Sequence, residues 1–285
     1  MHCMCGYHTT EVLEKHKVLC AKNLLGTTLF TLPTNKYLKF TNWGKTVTPP
    51  FAIYADFEAI LPTGGVHHQT HKPIAAGCLV VNNYDDSSLY RQFVGEDCVI
   101  QFLQFVETIA KDVVLPFIKD KMNAPIDHST VIDFNKQKNC YLCNYKTWKL
   151  VKDHCHVTGK YLGAACNRCN LSRKIRKDLP IVFHNLRGYD MHHILKYGLK
   201  EFPHWSISCI PNTQEKFTSL FANTQGVHLC FIDSYAFVIS SLKQAVNALK
   251  ETPITATRME NPNIVSSKGI FPYDLATSLD VLKKT

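Results

Sequence analysis

Cysteines 140, 143, 166 and 169 form two C-x2-C pairs separated by 22 residues. Four thiolates in two close pairs suit a closed tetrahedral zinc site, which holds structure rather than performing catalysis. Inside the interval runs Asp153-His-Cys-His-Val-Thr-Gly-Lys160, and Asn170 directly follows the last cysteine. A carboxylate, an imidazole and an amide oxygen could hold a divalent cation and activate water for metal-dependent phosphodiester hydrolysis. Zinc would then keep the shape, and Asp153, His154 and Asn170 would do the chemistry. Cys155 is expected to be a bystander because the tetrahedral set is already complete. His156 is expected to support its neighbours rather than touch phosphate.

The surrounding charge fits such a substrate. The 285 residues carry a formal +9, and Cys140 to Lys177 holds nine lysines and arginines against one acid, Asp153. Nearly all the excess therefore falls on the cysteine segment and the stretch after it, where Arg168, Arg173, Lys174, Arg176 and Lys177 are candidate phosphate contacts. A merely solvated basic face is the alternative. With 45% hydrophobic and 19% charged residues, the chain is of ordinary globular composition. No apolar run approaches a membrane span, and no signal peptide opens the chain. Clustered cysteines without a signal peptide predict metal binding in a reducing, intracellular compartment. A DNA partner would suggest the nucleus.

These residues need elements to position them. Phe51 to Glu58, Ile74 to Val81, Leu89 to Val94, Ile181 to Phe183 and Val227 to Asp233 read as strands. Val99 to Val114, Tyr189 to Tyr197 and Ser240 to Leu249 read as helices. Strands alternating with helices predict a mixed α+β (α/β) sheet with covering helices. Expected divisions are 1–20, 21–134, 135–178 for the cysteine module, and 179–285. In the first, Thr9 to Lys17 looks helical, and Cys3 or Cys5 with His16 and Cys20 could form a partial C2HC-type zinc finger. The set lacks a fourth ligand unless both Cys3 and Cys5, or His2, contribute. C-x-C is awkward for a finger, so an opening cysteine upstream of Met1 is expected. A metal-free terminus is the alternative.

Outside the module, Asp56 and Glu58 stand two apart on a strand and so share a face, with Ile53, Ala55 and Phe57 opposite. Paired carboxylates suit divalent metal, although exposed acidic pairs are common. Asp190 would open a helix after the strand ending near His184, and Asn185 in the intervening turn could orient a substrate. Asp190 could equally be a favourable charge in a first helical turn. His67, His68 and His71 are expected to lie in a solvated loop. Cys78, Cys98, Cys209 and Cys230 are expected in the core.

Tyr54-Ala-Asp-Phe-Glu-Ala-Ile60 resembles the first exonuclease motif of family B DNA polymerases, and His184-Asn-Leu-Arg-Gly-Tyr-Asp190 the second. Tyr90 to Cys98, Phe231 to Leu242 and Lys268 to Asp274 resemble stretches of the protein-primed polymerases of Polinton/Maverick elements and related viruses. The cysteine module resembles recombination endonuclease VII, an HNH nuclease. The resemblance implies an RNase H-like 3′–5′ exonuclease domain interrupted by a small ββα-metal zinc module. It implies Asp56, Glu58 and Asp190 as exonuclease metal ligands. Asn185 would meet the single-stranded 3′ end, with Tyr189 beside it. In the module, Asp153 and Asn170 would hold Mg²⁺ or Mn²⁺, and His154 would be the general base.

The third exonuclease motif, Tyr-x3-Asp, and the palm motifs that hold the polymerase metals are not found before Thr285. The expectation is a fragment of a DNA-directed DNA polymerase that binds DNA and zinc and cannot polymerise alone, its partners being DNA and the rest of the polymerase. A free-standing structure-specific endonuclease and a non-catalytic DNA-binding remnant are the competing readings.

Overall fold

The computed structural model describes residues 7–22, 37, 39–60, 71–121, 124–211 and 217–249. The chain divides into two units, residues 1–41 and 42–285. In the first, helix α1 spans Thr10–Lys22 and carries His16 and Cys20. Cys3 and Cys5 lie outside the described residues, as do His67, His68 and the Lys268 to Asp274 motif.

The second unit is a mixed α+β structure built on one seven-stranded sheet. Its strands are β1 (Phe51–Ile60), β2 (Lys72–Asn82), β3 (Ser88–Val94), β6 (Asp178–Phe183), β7 (Ser206–Pro211), β8 (Phe217–Thr224) and β9 (Val227–Asp233). Their order is β3-β2-β1-β6-β9-β8-β7. β1, β6 and β9 run parallel, and the flanking pairs are antiparallel. Strands buried at the centre of such a sheet need apolar residues on at least one face. Ile53, Phe57, Ile181, Phe183, Leu229 and Phe231 supply them here. Helix α2 (Cys98–Thr108) covers that face with Phe102, Leu103 and Val106. The Phe57 and Phe102 rings meet edge to face at 5.4 Å. Fully burying side chains of this size contributes roughly 1.5–3 kcal/mol each.

The helix expected over Val99 to Val114 is present but changes character. After Thr108 the hydrogen bonding widens to a π turn over Ile109–Val114, and α3 (Leu115–Lys121) follows. Between α3 and β6 lies the cysteine module, a two-stranded hairpin of β4 (Leu150–His154) and β5 (Tyr161–Cys166) followed by α4 (Asn167–Ser172). The chain therefore leaves the sheet and returns to pair β6 beside β1. β7 and β8 were not anticipated. The first is fully exposed at the sheet edge, so burial imposes no apolar alternation on it. Cys209, expected in the core, is exposed there, whereas Cys78 and Cys98 are buried as expected.

Candidate functional site

The four cysteine sulfurs all lie within 4.8 Å of one another and are spaced to hold a metal ion. Cys143 and Cys166 have their Sγ atoms 3.8 Å apart. A disulfide would require about 2.05 Å. The edge of a tetrahedron built on zinc–sulfur bonds of about 2.3 Å is close to the observed spacing. Burial opposes ionisation of Cys140, but the amides of Cys143, Cys166 and Leu142 point at its sulfur and draw the thiol down to about 7. Amides aimed at sulfur favour the thiolate that a metal needs. Trp43, Leu142 and Leu150 pack around the cluster and complete the module's small core.

The hairpin delivers Asp153 and His154. In a regular strand, neighbours point to opposite faces. Here the β4–β5 register shifts between Asp153 and His154, a bulge that re-aims side chains. Both residues consequently line one cleft of about 160 Å³. Asp153 is completely buried. Its Oδ2 accepts hydrogen bonds from the Tyr141 hydroxyl at 2.6 Å and Arg173 Nη1 at 2.9 Å, while Oδ1 has no partner. Tyr141 reaches it because its ring lies over Gly163, directly opposite Asp153 in the hairpin. A Cβ at Gly163 would stand 2.6 Å from that ring. Burial and the adjacent Asp153 push the Tyr141 hydroxyl up, so it remains a donor.

His154 Nε2 is 3.2 Å from the Ala124 carbonyl oxygen. A carbonyl only accepts, so Nε2 is the donor here, and in a neutral imidazole Nδ1 would then be the acceptor. Asn170 is half-buried on α4. Arg168, Lys174 and Lys177 are exposed, as a phosphate contact requires. The other two basic candidates are differently engaged. Arg173 pairs with Asp153, and Arg176 binds Asp178 through Nε at 2.7 Å.

On the sheet, β1 exposes Asp56 and half-buries Glu58 on one face, opposite the buried Ile53 and Phe57. Asp190 opens the short helix α5 (Asp190–His193), after which the backbone widens to a π turn over Ile194–Gly198. The helix expected over Tyr189 to Tyr197 is thus α-helical only at its start. Asp190 is 2% exposed and its Oδ1 has no partner. Burial, then the charges of Asp56 and Glu58, push its carboxyl up to about 8 against the pull of the Phe57 amide. That amide is available because the β1–β6 ladder extends only to Tyr54.

The turn before Asp190 is held by a residue not assigned a role from sequence. Asp233, at the end of β9, accepts from the amides of Asn185 (2.9 Å), Arg187 (3.1 Å) and Tyr235 (2.9 Å), and from Arg187 Nε at 3.1 Å. Burial would raise its pKa, but the Arg187 amide and guanidinium, with the other amides, hold it below the ordinary carboxylate value. Asn185 takes a left-handed conformation, φ 69°, within that grip. Tyr189 shares a 2.8 Å hydrogen bond with His71 and stands perpendicular to His193 at 4.9 Å. His71, expected in a solvated loop, therefore meets the second motif. His193 is buried with Nε2 unpartnered, and burial, then His71, His192 and Lys196, hold it down to about 4.

Residues 119–189 match the family model of recombination endonuclease VII. The matched span contains all four cysteines, Asp153, His154 and Asn170. No curated protein and no solved structure matches the chain. Among the described residues, no helix is long and apolar enough to cross a membrane.

Proposed function

We propose that this protein is a metal-dependent DNA nuclease whose endonuclease VII-like module cleaves phosphodiester bonds in branched DNA. The observation that carries this reading is the buried, unpartnered Asp153 Oδ1 beside His154, within the span that matches the endonuclease family. A buried carboxylate oxygen without a hydrogen-bond donor is costly unless a cation completes it. Asp153 Oδ1 therefore suits a hard divalent ion such as Mg²⁺ or Mn²⁺, which Asp153 and Asn170 would hold. When bound, the ion would offset the charge that develops on the phosphate oxygens. His154 Nδ1 takes the proton of the attacking water, whose oxygen forms a bond to phosphorus as one P–O ester bond breaks. Arg173 and Tyr141 hold Asp153 in place, and the four-cysteine cluster holds the hairpin against α4 through zinc.

A second reading applies to the sheet. The burial of Asp190 and its coupling to Asp56 and Glu58 support a 3′–5′ exonuclease centre on an RNase H-like domain. The parallel β1, β6 and β9, with antiparallel β2 and β3 on the outer side of β1, are in keeping with that fold. With the ordered motifs around Asp56 and Asp190, this supports the chain being part of a family B, protein-primed polymerase. Asn185 and Tyr189 would then position the 3′ end.

The test is cleavage of labelled branched duplexes and of single strands in Mg²⁺. Nicking of the branched substrate should disappear in His154→Ala and survive Asp56→Ala. Removal of nucleotides from single-stranded 3′ ends should show the opposite pattern. Salt-sensitive DNA binding without cleavage of any substrate would leave a DNA-binding remnant as the surviving reading.

A further inference from the structure

The cleft that holds Asp153 and His154 is not built by the cysteine module alone. Its walls include Thr46, Val47, Thr48 and Tyr84, all outside the 119–189 span that matches the endonuclease family. The first three belong to a strap running from Trp43 into β1, and the strap is seated on the module at several points. Trp43 packs against the cysteine cluster. A Cβ at Gly44 would stand 2.6 Å from the Ser172 carbonyl oxygen, so backbone meets backbone there and only glycine fits. Arg176 Nη1 donates to the Val47 carbonyl at 3.5 Å, and Lys45 lies 3.8 Å from Asp178.

Tyr84 arrives from the turn between β2 and β3. Its ring stacks on Phe117 at 6.2 Å, 27° from parallel, which fixes its direction. Its hydroxyl donates to the Thr48 carbonyl at 3.4 Å. That bond is long and weak, and the Cys155 sulfur that the hydroxyl also meets is a weak acceptor, so the hydroxyl can exchange either for a stronger one. Burial and the neighbouring Cys155 push the hydroxyl up to about 12, which keeps it protonated at neutral pH. A neutral donor lining the same cleft as a buried carboxylate and an imidazole is suited to a phosphate oxygen.

We propose that Tyr84 is a phosphate-positioning residue of the endonuclease cleft, which it lines together with Asp153, His154 and the Trp43–Thr48 strap. The large sheet and its strap are then working parts of the endonuclease, and the site is composite. This rests on the nuclease reading above.

The experiment uses the full chain and a labelled four-way DNA junction in Mg²⁺, comparing wild type, Tyr84→Phe, Gly44→Ala and His154→Ala. Tyr84→Phe keeps the ring that stacks on Phe117 and removes only the hydroxyl. It should raise KM about tenfold to a hundredfold, the value of a hydrogen bond to a charged group. Its kcat, zinc content and melting temperature should stay near wild type. Gly44→Ala should raise KM in the same direction with zinc retained, because the strap must move off Ser172. Junction affinity is also measured by fluorescence anisotropy with Ca²⁺ in place of Mg²⁺, and Tyr84→Phe should weaken it by a similar factor. Unchanged affinity and KM in Tyr84→Phe would overturn the proposal even where His154→Ala abolishes cleavage. If wild type itself does not cleave, the nuclease reading fails, and the anisotropy result still decides whether Tyr84 contacts phosphate. A lower melting temperature or lost zinc at unchanged KM would assign Tyr84 a structural role and also overturn the proposal.

Discussion

Arg173 holds Asp153 at 2.9 Å while both are withdrawn from solvent, the carboxylate 1% and the guanidinium side chain 14% exposed. Arg173 therefore neutralises the carboxylate to which a catalytic role is assigned. Removing one partner of a buried ion pair strands the other, typically at a cost of about 3–5 kcal/mol. Arg173→Ala should lose stability on that scale in urea unfolding. Mg²⁺ should return part of the loss, because a cation bound at Asp153 replaces the missing charge. The Asp153→Asn, Arg173→Ala double variant should be more stable than Arg173→Ala. A single variant within about 1 kcal/mol of wild type would show that the pair carries little.

Tyr141 and Gly163 support the same carboxylate. Gly163→Ala puts a methyl group 2.6 Å from the Tyr141 ring and should drive it off Asp153. Overpacking of this kind costs about 1–3 kcal/mol. Tyr141→Phe removes the 2.6 Å hydrogen bond without changing volume and should cost about the same for the donor lost. Thermal unfolding of both variants checks this, and two wild-type curves would count against a close-packed Asp153 cradle.

Zinc should be inseparable from the hairpin. Cys166→Ser is expected to lose about one zinc per chain and to unfold the module, since ligand binding and folding are coupled there. Elemental analysis with hydrogen exchange across 140–172 reads both effects. A Cys166→Ser protein with its full zinc content would mean that the four sulfurs do not form one site.

Asp233 makes an acid-side prediction. Its folded pKa lies below the unfolded value of about 3.9, so its stabilisation is fully present above that pH. The stabilisation is lost as pH falls through the folded pKa. Unfolding free energies measured between pH 2 and pH 6 should fall less steeply for Asp233→Asn than for wild type. The substitution should also loosen the turn from His184 to Asp190, seen as faster exchange of the Asn185 and Arg187 amides. Parallel pH curves for the two proteins would remove Asp233 from the stability of that turn.

Much of the cysteine module was readable along the chain because it rests on spacing. The two C-x2-C pairs mark the cysteine cluster spaced for a metal, and Asp153 and His154 between them line the cleft. The strand period likewise separated Asp56 and Glu58 from Ile53 and Phe57. Asp233 was less legible. It stands in a recognisable segment, but its partners at Asn185 and Arg187 are 48 and 46 residues away. No local pattern encodes a contact of that range. The edge strand β7 was missed for a related reason, since exposed strands need no apolar alternation.

By itself, the sequence determined the four-cysteine set, the adjacent Asp153 and His154, the basic segment and the paired carboxylates of β1. Each is a matter of residue type and local period. Tertiary structure alone decided three further matters. It turned Arg173 from the surface toward Asp153, buried Asp190 beside β1 until burial and like charge raised its pKa, and brought the strap and Tyr84 into the walls of the cleft. These depend on where distant segments pack and on how much water they exclude, and those are properties of the folded chain.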